Sequence, residues 1–397
     1  MAPAAAYWRL SAAYFFYFTY VGAFSPYFPL YLEAQHFSAA EIGVVLALVQ
    51  VTRVVGPVCW GAFADWLGRS GHALLVCAWL SVVVSCALLM GNTFAWLACA
   101  LFVQSLATSG AMPIVESTTL SRLVGAAGSY GPIRVWGSVG FIVAVVVLGA
   151  VLDHIAIDWF PHMVIATLVL FAVSAAWVPE PRALEPQRKD AADEAQLGAV
   201  LRRPEVAALL AACFFMALSH GALYTFYSLF LVANGYSKSA VGMFWSVGVI
   251  AEIAVFLLLP NLMARYSLRA ILLASFAFAV LRFAAIGWGV ASVLVLFAAQ
   301  MMHGATFGSY HAAAVSAMHR FVPGRLHARG QAVYTAVSFG AGGTLGGIFS
   351  GWAWDAMGAA WTFTASSAIA AIGLVLIWRA YPSVSDRATT LTRSRAA

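Results

Sequence analysis

Residues Glu180 to Glu205 read EPRALEPQRKDAADEAQLGAVLRRPE, and this one polar passage divides an otherwise apolar chain near residue 190. Its prolines, Pro181 and Pro186 with Pro179 just before it, and its dense mixture of both charge signs make it a linker, because a helix crossing a bilayer needs about 20 apolar residues. Outward from it, each side carries six stretches of that length. Upstream they are 10–32, 41–63, 72–91, 93–117, 131–152 and 160–178; downstream they are 206–232, 239–262, 268–288, 291–317, 329–353 and 358–380.

The composition agrees. The 397 residues are 63% hydrophobic and 9% charged, against about 25% charged in soluble chains, and no aqueous fold hides that much apolar surface. Of 21 Lys and Arg residues, 18 lie in or beside segments that are cytoplasmic if both termini are. Arg53 and Arg282 fall inside spans, and Lys238 alone lies on the other side. Such asymmetry fixes a multi-pass orientation with both termini in the cytoplasm. It also explains a pI near 9.2 without a nucleic-acid footprint, since no basic cluster has that form. The first apolar stretch is too long for the h-region of a signal peptide and reads as a retained span. Cys59, Cys77, Cys86, Cys99 and Cys213 all sit in apolar stretches, where free cysteine behaves as a small hydrophobe; neither a disulfide nor a metal site is expected.

Sliding the chain along itself so that Phe37 meets Tyr236, a shift of 199 residues, also pairs Ser38 with Ser237, Gly43 with Gly242, Leu30 and Leu32 with Leu229 and Leu231, and Gly131 with Gly330. The halves form a parallel repeat, as in transporters whose two bundles rock about a midplane site. The same shift lays Arg53 on Glu252 and Gln104 on His303, so equivalent positions carry different chemistry.

Gly61-Ala-Phe-Ala-Asp65-Trp-Leu-Gly68-Arg69, where span two reaches the cytoplasm, resembles the loop signature of the major facilitator superfamily. Trp66 stands where that pattern has a basic residue, and the copy near Arg265 lacks the Asp. Further segments resemble the phenylpropionate permease family, a branch near the nucleoside and oligosaccharide proton symporters. These are Arg9-Leu-Ser with Pro26-Tyr-Phe-Pro-Leu-Tyr-Leu32, Arg53 with Pro57 and Trp60-Gly61, Tyr130-Gly131 with Arg134-Val-Trp-Gly-Ser-Val-Gly-Phe141, and Ser219-His220-Gly221. Gly248-Val-Ile-Ala-Glu252-Ile, Leu281-Arg282-Phe283 and His303-Gly-Ala-Thr-Phe-Gly308 with His311 complete the set. Pro132 departs from the basic residue expected beside Arg134. The resemblance implies an all-α membrane protein with the major facilitator fold: twelve transmembrane helices in two pseudo-symmetric six-helix bundles, over residues 1–180 and 205–382, joined by a cytoplasmic linker at 181–204 and followed by a tail at 383–397. It also implies that spans one, four, seven and ten line a central cavity.

An ionisable side chain inside a span costs at least about 2.5–3.5 kcal/mol and is a functional candidate by default. Glu252, midway along span eight, is the leading proton site; the other reading is a structural ion pair with an arginine. Arg282, on the antiparallel neighbouring span, lies about four residues nearer the outer face, an offset of ~6 Å, and His303 joins them as a proton-coupling candidate. Arg53 and Arg282 suit a carboxylate, which a guanidinium grips in bidentate fashion. His220, Tyr224 and Tyr227 follow i, i+4, i+7 spacing, and His303, Phe307 and His311 follow i, i+4, i+8, so each set makes one helical stripe; with Gln104 and Arg53 they are the substrate-binding candidates, against the alternative of simple packing. Asp65, Arg69, Glu116 and Arg134 are gating candidates at the cytoplasmic ends, Glu116 equally readable as structural.

The expectation is a monomeric proton-coupled symporter of the bacterial inner membrane, with the bilayer, protons and a small molecule as partners and no cofactor beyond the proton gradient. The resemblance supplies an aromatic carboxylate as substrate. A sugar or nucleoside symporter, in which Glu252, His303 and Gln104 bind hydroxyls, and a proton-antiport exporter are the rivals. An enzyme is disfavoured, since the chain has no H-E-x-x-H, no paired-cysteine spacing and no Gly-x-Ser-x-Gly elbow.

Overall fold

The computed structural model describes residues 4–123, 130–181 and 191–381. Among them the chain is almost entirely helical, without a strand. Ten helices are long and apolar enough to cross a membrane: α2 Ala39–Leu67, α3 Ser70–Leu89, α4 Phe94–Arg122, α5 Tyr130–Leu152, α6 Ile157–Ala175, α7 Pro204–Ala233, α8 Lys238–Arg265, α9 Leu268–Gly289, α11 Gly324–Met357 and α12 Ala359–Ala380. Two more complete the set of twelve. Helix α1, Ala4–Ala34, is rich in tyrosine and carries Pro26 and Pro29 within it. Helix α10 occupies 293–321 and is interrupted: Val293–Met301 is α-helical, Gly304–Ser309 is π-helical, and Tyr310–Phe321 is α-helical again. A further helix, Ala191–Leu201, lies in the linker; linker residues 182–190 and tail residues 383–397 fall outside the described part. By the charge asymmetry, the ends of the spans facing the linker are called inner and the opposite ends outer.

Helix pairing repeats between the halves. Helix α1 packs on α5 and α6, and α7 packs on α11 and α12; α3 packs on α6, and α9 on α12. The internal repeat is therefore a repeat of packing.

The chain forms two compact units. The first contains the described residues of 4–181 together with Ala222–Val249 and Gly347–Met357; the second contains 191–221, Ile250–Gly346 and 358–381. Within the first unit, the outer parts of α7, α8 and α11 are bound to the N-terminal helices through glycines and helix caps. A Cβ placed at Gly43 would stand 2.6 Å from the Gly347 carbonyl oxygen, and one at Gly351 2.6 Å from that of Ala39. Equivalent Gly242 lies against the Val145 carbonyl, where Tyr27 also donates, Oη to O, at 2.5 Å. Only glycine allows backbones this close.

Carboxylates cap both helix starts at this seam. Asp355 accepts from the Ala40 N–H at 2.9 Å, while Asp153 accepts from the N–H groups of Lys238 at 2.7 Å and Ser239 at 3.0 Å and from the Ser239 hydroxyl. Ala40 and Ser239 are partners under the 199-residue shift, so the two caps are copies of one device. The first four N–H groups of a helix lack partners within it, and negative charge there is favoured by the helix dipole. Within each half the same starts carry serine caps: Ser38 with Glu41 makes a capping box, and Ser237 accepts from Ala240 N–H at 3.1 Å.

Candidate functional site

In the second unit the central feature is Arg282 on α9, fully buried. Its guanidinium donates from one terminal nitrogen to His303 Nδ1 at 2.9 Å and Thr306 Oγ1 at 3.0 Å, and from the other to Gln300 Oε1 at 3.1 Å. All three acceptors come from α10, where its α-helix gives way to π-helical turns. Wider turns of this kind commonly mark functional sites in helices. They also line up the aromatic stripe: the rings of His303, Phe307 and His311 stack in series, centroids 5.5 Å and 6.2 Å apart, each pair inclined by 10°. His311 ends the row against Tyr334, Nδ1 to Oη 3.0 Å.

Glu252 sits near the midpoint of α8, half-buried, and its stem lies 3.5 Å from where a Cβ would project at Gly308. Gly304 lets the backbone of the π-helical segment approach the Ala251 carbonyl, to which a Cβ would come within 2.5 Å. Small residues thus seat the proton candidate on the segment that bears His303. His220 lies at the break between Pro204–Ser219 and Gly221–Ala233 of α7. Its Nδ1 is 2.8 Å from the Met216 carbonyl, its ring packs edge-on against Phe283 at 5.0 Å, and it is within electrostatic reach of Arg282.

The first unit holds the other candidates. Arg53 on α2 is exposed, with the hydroxyls of Tyr17 and Tyr20 on α1 within reach of its charge. Gln104 on α4 is fully buried and donates from Nε2 to Tyr20 Oη at 2.8 Å. Tyr224 stacks on Trp245 at 6.2 Å, and Tyr227 meets the same indole edge-on at 5.9 Å. The α7 stripe read from sequence is therefore shared: His220 belongs to the Arg282 neighbourhood, and both tyrosines sit with Trp245.

At the inner ends, Asp65 and Arg69 are exposed and enter no ion pair among the described residues. Glu116 accepts from Tyr130 Oη at 2.6 Å, and Arg134 lies over the faces of Phe18, 4.3 Å, and Tyr14, 5.7 Å. A second acid engaged there is Glu180, which accepts from Gly71 N–H at the start of α3 at 3.0 Å and lies 3.4 Å from His72 Nδ1, while Arg122 donates to its carbonyl. Sequence reading missed Gln300, Thr306, Tyr20 and Glu180. An amide inside the apolar run from Val293 to Met302 is a visible signal for Gln300; Thr306 carries none, because threonine is unremarkable inside a span.

With twelve spans and buried polar side chains on the facing helices, the comparison with known sequences decides the family: the sequence model described as MFS_1 like family matches residues 7–365. The chain belongs to the MFS_1 like family. Family relatives agree along most of the chain. It is 29% identical over 363 residues to the probable 3-phenylpropionic acid transporter of Escherichia coli (strain K12), covering 88% of this chain and 91% of that one. It is 22% identical over 338 residues to the nucleoside permease NupG of the same organism, covering 79% of each. The fold matches the crystal structure of the nucleoside transporter NupG with a TM-score of 0.80, at 17% identity, over 95% of this chain and 99% of that chain. This member of the MFS_1 like family is accordingly a multi-pass membrane transporter with the major facilitator fold, not an enzyme.

Proposed function

We propose that this transporter imports a small aromatic carboxylate together with protons, by alternating access in the inner membrane. The observation that supports this reading best is the pairing of Glu252 with the Arg282 cluster in one unit. Among the described residues Glu252 is the one carboxylate near the middle of a span, and it rests on the π-helical segment that bears Thr306 and directly follows His303 and Gln300, the three side chains that hold Arg282. A carboxyl placed where hydration is poor is favoured as a proton carrier. Histidine and phenylalanine rings stacked along α10 suit a ring-bearing solute. The relative named for 3-phenylpropionic acid supports the substrate class.

Uptake of radiolabelled 3-phenylpropionate into proteoliposomes under an imposed inward proton gradient tests it. The expected result is accumulation in the parent protein, loss of accumulation in Glu252→Gln, and retained exchange of substrate across the membrane in that variant. Accumulation of nucleosides or sugars but not of the acid would overturn the substrate class. Undiminished accumulation in Glu252→Gln would place the proton elsewhere.

A further inference from the structure

Both Arg53 and Arg282 are cations within spans, and either suits a carboxylate; their surroundings separate their roles. Arg282 is fully buried, and its two terminal nitrogens already serve three neutral acceptors on α10. A substrate carboxylate would have to displace Gln300 or His303 to reach them. Arg53 is placed otherwise. Val44, Val51, Val55 and Val58 of α2 are exposed, and at 100° per residue they form one narrow apolar stripe suited to lipid. By the same rotation Arg53 projects from the opposite side of α2, roughly 200° from Val51. Its exposure is therefore not toward lipid, and its charge reaches the Tyr17 and Tyr20 hydroxyls.

Gln104 completes the arrangement. Its Nε2 donates to the Tyr20 oxygen at 2.8 Å, and the Thr108 hydroxyl is the other side-chain partner of that phenol, so a carboxylate that receives the Tyr20 proton receives it in place of Thr108. Guanidinium and phenol are both donors, and together they match the acceptor-only chemistry of an ionised carboxylate.

We propose that Arg53, with the Tyr20 hydroxyl held as a donor by Gln104, anchors the substrate carboxylate, and that Arg282 is a positioning residue that fixes His303 and the π-helical segment. This inference rests on the reading of the protein as a carboxylate transporter. It assigns the substrate charge to the first unit and the proton candidate Glu252 to the second.

The test compares binding of 3-phenylpropionate with that of its neutral amide, 3-phenylpropionamide, to the purified full-length protein. The parent prefers the acid. Arg53→Gln lowers acid affinity by about 10- to 100-fold while barely changing the amide, so that the preference vanishes; Arg53→Lys keeps part of it. Tyr20→Phe, which retains the ring and its packing, weakens the acid more than the amide and provides a reading if Arg53→Gln does not fold. Arg282→Gln impairs transport and leaves the acid-to-amide ratio as in the parent. An unchanged ratio in both Arg53→Gln and Tyr20→Phe, or a ratio lost only in Arg282→Gln, overturns the assignment while the carboxylate reading stands. A parent protein that binds neither compound, or binds the amide as tightly as the acid, overturns the carboxylate reading itself.

Discussion

The guanidinium of Arg282 donates to Nδ1 of His303 at 2.9 Å, and because arginine has no acceptor the imidazole must be neutral there, with its proton on Nε2. His220 holds the opposite tautomer: its Nδ1 faces the Met216 carbonyl at 2.8 Å and must carry the proton. Arg282 thus sets the chemistry of a ring on the neighbouring helix as well as its position. Replacing it by lysine keeps the charge and loses the fork, since a single ammonium does not reach His303, Thr306 and Gln300 in the same geometry. Arg282→Lys is expected to lose about 2 kcal/mol of stability for each buried hydrogen bond left unmade and to slow transport, read by thermal unfolding in detergent and by initial uptake rates. Parent-like values in both would remove Arg282 from its positioning role.

Two glycines of the π-helical segment respond differently to a methyl group. At Gly304 a Cβ meets the Ala251 carbonyl at 2.5 Å and Val255 at 2.8 Å; at Gly308 the nearest atoms, on Val255 and Glu252, are at 3.4 Å and 3.5 Å. Gly304→Ala therefore forces α8 and α10 apart, at a cost of about 1–3 kcal/mol for an overpacked contact, whereas Gly308→Ala makes ordinary contacts. Melting temperatures of the two variants, measured side by side, are expected to fall for the first and hold for the second.

Asp65 stands exposed without an ion pair among the described residues. Asp65→Asn is expected to leave the melting temperature unchanged, within about 0.5 kcal/mol of stability. If Asp65 gates the inner end as its motif implies, the same variant alters uptake rates at unaltered stability. A large drop in stability would show a structural role for it.

Asp153 supplies the pH dependence. Asp153 is exposed, and the slight desolvation by its neighbours acts to raise its pKa; hydrogen bonds from the Ser239 hydroxyl, Ser239 N–H and Lys238 N–H, with the Lys238 charge, outweigh that, so the carboxyl lies below its ordinary value. A depressed folded-state pKa means that its contribution to the cap is complete above the ordinary carboxylate range, near pH 4, and is lost as pH falls through the lowered value. Outer-side packing should hold unchanged from about pH 5 to 8. Asp153→Asn should loosen it at every pH, read as increased labelling of a cysteine introduced at the seam by an impermeant thiol reagent.

Much of the fold is legible in the sequence because the bilayer imposes one requirement, length, and charge imposes another, sidedness. The linker, the spans and the repeat follow from these. The site is legible where it places a charged or imidazole side chain inside an apolar run: Glu252, Arg282, His303 and Arg53 stand out. Tyr20, Thr306 and Glu180 do not, since their roles come from which helix lies beside them. The i, i+4, i+8 stripe on α10 is visible, yet the π-helical turns that stack its rings are not, because Gly304 and Gly308 specify close packing without specifying how many residues make a turn.

The carboxylate caps on α2 and α8 bind mainly main-chain N–H groups, which every residue except proline supplies. Such a seal places almost no demand on the identity of the side chain opposite. Residue 40 can drift without weakening it, and at 238 only the share owed to the lysine charge would be lost, so a search for compensating charge pairs among related sequences would find little at the outer seam. What Asp153 and Asp355 do demand is a helix that starts at a given place, so an insertion or deletion of one residue before α2 or α8 would undo what many substitutions there would spare.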